Sequence, residues 1–157
     1  MANRILLAAD NSKNALQAVD YAVKTFKPDS TITLLSILPD PTQGCELSGP
    51  SLAPIFKENI EAFCTIEDAK KSAVEGFMEE AKKKLEKAGF PDKNIAIRVR
   101  KKKSGIARDI VKEATQGKYD TLVIGRRGLT GIKRYVFDSV SNKILQLADN
   151  ITVTVVD

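Results

Sequence analysis

At 157 residues, with 43% apolar and 29% charged residues, the chain has the make-up of one globular domain large enough to bury its own core. Its net charge of +5 is modest, and it contains no histidine, which excludes His-dependent triads, His-ligated metals and the histidine motifs of class I nucleotidyl transferases. No apolar run approaches the ~20 residues of a membrane span and MANRILLAAD lacks a signal-peptide layout, so the expectation is a cytoplasmic protein without a membrane partner.

The first element is Ile5-Leu6-Leu7-Ala8-Ala9, a short continuous apolar run of the kind buried on both faces of a sheet. Asp10-Asn11-Ser12 ends it with turn and cap residues. Ala15, Ala18, Val19, Ala22, Val23 and Phe26 then recur at helical spacing, and Lys27-Pro28-Asp29-Ser30 closes that helix. Thr31 to Leu38 is a second apolar strand, stopped by Pro39, so strand, helix and strand predict a parallel crossover.

Residues 39–66 differ in character. Pro39, Pro41, Gly44, Gly49, Pro50 and Pro54 predict an irregular loop, and Leu52, Ile55, Phe56, Ile60 and Phe63 hint at a short helix inside it. A segment of this length in a compact domain is usually functional, a partner surface or flexible, and it reads as an insertion, with a lid as one such role. Cys45 and Cys64 fall here, without metal-ligand spacing, and read as inert free thiols.

From Glu67 to Ala88 the periodicity is the clearest in the chain, with Ala69, Ala73, Val74, Phe77, Met78, Ala81, Leu85 and Ala88 on one stripe. Gly89 and Pro91 stop it. Ile95, Ile97 and Val99 alternate with polar residues, predicting a strand near a sheet edge. The basic run Arg98 to Lys103 overlaps its end, and no aromatic residue interleaves with it. It reads as a solvated strand end, not as a nucleic-acid surface. Ile106, Ile110, Val111 and Ala114 mark a further helix ended by Gly117-Lys118. Asp120 to Ile124 is a fourth strand, Val140, Ile144, Leu145 and Ala148 mark a last helix, and Ile151 to Val156 is a closing strand. Five strands alternating with four helices predict a doubly wound, Rossmann-like α/β domain, its mostly parallel sheet covered by helices on both faces.

In such a sheet ligands bind beyond the carboxyl ends of the strands, where Asp10 and Gly125 both fall. Gly125, Gly128 and Gly131 lie within seven residues of one another, with Arg126, Arg127, Lys133 and Arg134 among them and Ser139 and Ser141 at the start of the next helix. Glycine amides, a helix N-terminus and hydroxyls suit phosphate oxygens. The cations beside them either add to that cradle or are simply solvated. No acid–base or nucleophile pair emerges, and the reading is a binding module, not an enzyme.

These residues resemble the universal stress protein family. ILLAADNS (5–12) is similar to its first strand and terminal aspartate, GIARDIVKEA (105–114) to its third helix, and DTLVIGRRGLTGIKR (120–134) to its fourth strand and glycine loop. The resemblance spans the chain as a single domain apart from the 39–66 insertion. It implies an adenine nucleotide alpha hydrolase-like fold and a regulatory module for stress response that binds ATP or AMP. It also implies a homodimer through the C-terminal strand, acting on protein partners it does not identify. Asp10 would then meet the adenine or ribose and Ile37 would offer its backbone to the adenine. Gly125, Gly128, Ser139, Val140 and Ser141 would line the ribose and phosphates. The family's nucleotide motif is Gly, two residues, Gly, nine residues, then Gly followed by Ser or Thr; here Asp138-Ser139 stands where Gly-Ser is expected. Three readings of Asp138 stay open: a solvent-facing helix cap, a carboxylate that repels phosphate and abolishes nucleotide binding, or one end of a Mg²⁺ bridge to the phosphates. The second leaves a structural or interaction protein working through its dimer strand and the 39–66 loop.

Overall fold

A computed structural model describes residues 2–9, 13–38, 54–126 and 139–157. Among these residues the strands are β1 (Arg4–Ala8), β2 (Thr31–Leu38), β3 (Ile95–Lys101), β4 (Thr121–Gly125) and β5 (Thr152–Val156). The helices between them are α1 (Lys13–Thr25), α2 (Pro54–Lys87), α3 (Ile106–Gln116) and α4 (Ser139–Leu147). The strands form one sheet in the order β3-β2-β1-β4-β5, and every pairing is parallel, not merely most of them.

Successive strand side chains point to opposite faces, so an all-apolar strand needs helices on both. Ile5 and Leu7 join Ile32, Leu34 and Val123 on one face, under Ala18, Val19 and Ala22 of α1 and Val74, Met78 and Leu85 of α2. Leu6 joins Leu35, Ile37, Leu122 and Ile124 on the other, under Ile110 and Ala114 of α3 and Ile144 of α4. Each fully buried Leu or Ile contributes about 1.5–3 kcal/mol over an exposed one. The three central strands are therefore the most deeply buried of the described strands. Their amino ends are tied together as well: the Arg4 N–H donates to the Asp120 carboxylate at 2.7 Å, and the Asp120 N–H donates to the Arg4 carbonyl at 2.8 Å.

α2 differs from the sequence expectation of two helices. It is one helix of 34 residues, so the short helix expected inside 39–66 and the helix expected from Glu67 are continuous. Nothing between Pro54 and Gly76 breaks it, and a proline costs little in the first turn, where its missing N–H has no partner to lose. Its buried stripe is shorter than the periodicity implies. Ala69 and Ala73 are exposed, packing begins at Val74, and Ala88 is exposed at the far end. That end is closed by Gly89 at φ +99°, with the Phe90 N–H donating to the Leu85 carbonyl at 3.1 Å.

α3 closes differently. Gly117 keeps a right-handed φ of −75° and Lys118 takes the left-handed one, φ +51°. The Tyr119 N–H reaches back to the Ala114 carbonyl at 3.1 Å and the Lys118 N–H to Thr115 at 3.1 Å, which satisfies the last carbonyls of the helix.

Candidate functional site

The order β3-β2-β1-β4-β5 makes β1 the switch point: the chain moves from it to β2 and β3 on one side, then crosses to β4 and β5 on the other. Helices leaving β1 and β4 cover opposite faces, the arrangement in which a doubly wound sheet takes ligands between those strands at their carboxyl ends. Ala8 is level with Leu35 of β2 and with Ile124 of β4, so Ile37 and Gly125 flank the end of β1. Two strand spacings, about 10 Å, separate the outer strands of this trio. Asp10, Gly128 and Asp138 lie outside the described residues, as do Arg127, Lys133, Arg134, Cys45 and the side chains of Ser139 and Cys64.

On the β2 side, the backbone polarity of Ile37 follows from the ladder. The Ala9 N–H donates to the Leu35 carbonyl at 2.8 Å, and the Lys102 N–H donates to the Leu38 carbonyl at 2.8 Å. In a parallel strand alternate residues turn their amides to alternate neighbours, so Ile37, like Leu35, faces β1 while Leu38 faces β3. By the β1–β2 register Ile37 lies one residue beyond the level of Ala9. Its side chain is buried in the α3-side core, which holds that stretch of backbone in place.

On the β4 side, α4 begins at Ser139 and its first turn lies against the strand end. The Ser141 hydroxyl donates to the Gly125 carbonyl at 3.2 Å and, more weakly, to the Arg126 carbonyl at 3.4 Å. Val140 packs against the Leu6–Ile124 core. Sequence reasoning treats Ser141 as a residue lining the phosphates. The structure gives its hydroxyl proton to the strand, which makes it a clip that seats the helix start on β4. Arg126 is likewise occupied: its N–H donates to the Val156 carbonyl at 2.7 Å and its guanidinium pairs with Asp157 at 2.9 Å. Neither contact is visible without the β4–β5 register. Counting both strands to their ends would have suggested the second, since Gly125 pairs with Val156 and the next two residues are Arg126 and Asp157.

The basic run sits on the outer strand. Arg98 and Arg100, on one side of β3, both reach the Glu113 carboxylate of α3, with Arg100 at 3.4 Å. Beyond it the Asp109 carboxylate accepts from the backbone N–H of Lys103 at 2.6 Å and of Ser104 at 3.1 Å. Partial burial raises the Asp109 carboxyl, but amide donors from Lys103, Ser104 and Gly105 outweigh it and bring it below the ordinary carboxylate value. These residues shape the turn into α3 on the same carboxyl-end rim. Among the described residues no group of three or more Cys, Asp or Glu is arranged to hold a metal ion, and no helix is long and apolar enough to cross a membrane.

A model of the Universal stress protein family matches residues 1–157. No curated protein matches the sequence. Among solved structures, hypothetical protein MJ0577 is similar with a TM-score of 0.69 at 25% identity, covering 99% of this chain and 96% of that one. The universal stress protein UspA from Lactobacillus plantarum is similar with a TM-score of 0.70 at 20% identity, over 99% and 97% of the two chains. The universal stress protein from Archaeoglobus fulgidus in complex with dAMP is similar with a TM-score of 0.63 at 14% identity, over 100% and 98%. Two further neighbours of this fold are a universal stress protein in complex with cAMP and a family protein from Arabidopsis thaliana with AMP bound.

Proposed function

The chain belongs to the universal stress protein family, and from that premise we propose that it is an adenine-nucleotide-binding regulatory module that holds AMP or ATP at the carboxyl end of β1. The observation that carries the reading is the pairing of two features across the switch point. The Ile37 backbone turns toward β1 on one side, and Gly125 with the clipped start of α4 stands on the other. An adenine needs backbone donors and acceptors at its edge, and a phosphate needs glycine amides and a helix N-terminus. Asp10, Gly128, Ser139 and Val140 complete the set by sequence. The nucleotide complexes of the family neighbours with AMP, dAMP and cAMP support the same ligand class here. The proposal includes a cytoplasmic location and a regulatory role without catalysis, since the chain has no histidine and no nucleophile–base pair emerges from its sequence.

Dimerisation through β5 is part of the proposal. The two sheet edges differ: β3 carries Arg98, Arg100 and Lys101, whereas Thr152–Val156 carries no charge. Charges on an edge strand block strand addition, and their absence from β5 leaves it able to pair. Asp138 favours a second reading, that of an interaction protein without nucleotide, because a carboxylate that faced phosphate from the third glycine position would repel it.

The deciding experiment is to denature the purified protein and identify released nucleotide by absorbance and mass spectrometry, then to melt nucleotide-free protein with millimolar AMP, ATP or MgATP. Ligand at a hundredfold excess over Kd stabilises by about 2.7 kcal/mol, which for a domain of this size raises Tm by roughly 5–10 °C. No released nucleotide and an unmoved Tm with all three would leave the interaction-protein reading.

A further inference from the structure

Arg126 makes three contacts at the carboxyl-end rim, to the end of β5 and to the start of α4. Its N–H donates to the Val156 carbonyl at 2.7 Å, its carbonyl accepts the Ser141 hydroxyl at 3.4 Å, and its guanidinium pairs with the Asp157 carboxylate at 2.9 Å. The register explains the last contact. Gly125 pairs with Val156, so Arg126 and Asp157 are the next residues out along two neighbouring parallel strands. By alternation both side chains belong to the face of Ile124 and Val153, which is the face α4 covers. The backbone of Arg126 is thus fixed by β5 and by the α4 clip, and only its side chain is free to choose a partner.

That side chain has a weak partner. The pair is open to water, with Arg126 52% and Asp157 69% exposed. Exposed pairs of this kind hold with little net energy, and a second anion of higher charge displaces them. A guanidinium also suits phosphate better than a single carboxylate oxygen, because its donors form a planar fork that meets two oxygens at once.

We propose that Arg126 is the residue through which the site distinguishes ligands by their number of phosphates, and that Asp157 competes with those phosphates for it. The inference rests on the nucleotide reading above. A single phosphate meets the Gly125 end of β4 and the start of α4. Each further phosphate adds charge within the sweep of the Arg126 side chain, and engaging it means breaking the Asp157 pair. Asp157 therefore weakens polyphosphate binding selectively, while the adenosine end, two strands away at Ile37, does not sense it.

The test is calorimetric titration of AMP and of ATP into wild type, Asp157→Asn, Arg126→Gln and the double variant in low-salt buffer, with thermal melts to establish folding. Asp157→Asn is expected to raise the ATP-to-AMP affinity ratio about two- to fivefold, the range an exposed ion pair supports. Arg126→Gln is expected to lower that ratio, and the double variant to match Arg126→Gln alone. The Asp157→Asn gain should shrink in ~1 M salt. An equal shift for AMP and ATP, or the same Asp157→Asn gain in the Arg126→Gln background, overturns the proposal, because Asp157 would then act as a field and not through Arg126. Binding of both nucleotides with an unchanged ratio in every variant sinks this inference and leaves the nucleotide site standing. Absence of binding by all four proteins removes both.

Discussion

Alanine at Gly117 is expected to destabilise the domain by about 2–6 kcal/mol, for a reason unrelated to glycine's backbone freedom. Gly117 sits at φ −75° and ψ −5°, which alanine adopts without strain. The obstacle is the space beside it. A Cβ there would lie 2.2 Å from Cε2 and 2.7 Å from Cδ2 of Tyr119, and 2.9 Å from the Glu113 carbonyl oxygen. Carbon atoms rest at about 3.5–4 Å, so the ring must move by more than 1 Å. It has little freedom to do so: Tyr119 is 8% exposed, its hydroxyl donates to the Thr33 hydroxyl at 3.0 Å, and the Arg4 guanidinium lies 5.4 Å from its ring centre. Overpacking costs about 1–3 kcal/mol and a stranded buried hydroxyl about 1–3 more. At roughly 2–4 °C per kcal/mol, Tm should fall by at least about 5 °C, measured by circular dichroism. Gly76 supplies the control of opposite sign. It is exposed within α2 with nothing within 4 Å of its would-be Cβ, so Gly76→Ala should stabilise by up to about 1 kcal/mol. The clash argument also requires that Gly117→Ala cost clearly less once Tyr119→Ala has removed the ring, with only the Glu113 carbonyl contact left to relieve. A Gly117→Ala protein within about 0.5 kcal/mol of wild type, or an undiminished loss in the Tyr119→Ala background, would refute it.

Asp109 should contribute to acid sensitivity. Its folded-state carboxyl lies below the ordinary value near 3.9, so its stabilisation is complete above that pH and is lost as pH falls through the depressed folded value. Asp109→Asn is accordingly expected to lower Tm at pH 7 by a margin that shrinks as pH falls below the ordinary carboxylate range; a deficit that does not change with pH would mean that ionisation is irrelevant. Asp138→Gly restores the family motif and should tighten ATP binding tenfold or more if the carboxylate repels phosphate, since about 4 kcal/mol per close charge pair is available before relaxation. Weaker MgATP binding in that variant would assign Asp138 to a metal bridge instead. Val155→Pro should convert the proposed dimer to a monomer in light scattering at micromolar concentration. Thr152 and Val156 turn their backbone groups to β4, so the Val155 N–H points to the open edge, where proline removes a donor without disturbing the β4 ladder. A dimer that survives, or a wild-type monomer, would rule out this edge.

Most of the fold was legible because burial on both faces of a parallel sheet writes itself as continuous apolar runs. Ile5–Ala9 and Leu122–Ile124 are such runs, Ile32–Leu38 is one interrupted only by Thr33 and Ser36, and the alternating Ile95-Ile97-Val99 correctly signalled an edge. Periodicity overreached in α2, where it placed Ala69 and Ala73 with Val74 and Met78. A repeat reports which residues share a face, and it is silent on how far the neighbouring sheet extends to cover them. Gly117 shows a second limit. A glycine after a helix suggests a left-handed stop, yet Lys118 takes that conformation and Gly117 is needed for clearance from a ring two residues on. At the candidate site, residue types pointed to the rim, but donors and partners were hidden. Whether the Ser141 hydroxyl meets a phosphate or a carbonyl depends on where α4 lands, and whether Arg126 is a free cation depends on the β4–β5 register.

Those two contacts bear on how the proposed ligand site and the proposed dimer edge relate. β5 pairs with β4 through the same Arg126 N–H that neighbours the Ser141 clip, so the strand offered to a second copy and the rim offered to a phosphate share one residue. If phosphate draws the Arg126 guanidinium away, the Asp157 carboxylate loses its counter-charge at the end of an otherwise uncharged edge. Any change this makes in the dimer constant must return as an equal change in nucleotide affinity on dimerisation, because coupling free energies are reciprocal. The ion pair is exposed, so that coupling is small, within about 1 kcal/mol. A module built this way adjusts its assembly by a few-fold when its ligand changes, which suits graded regulation better than an all-or-none switch.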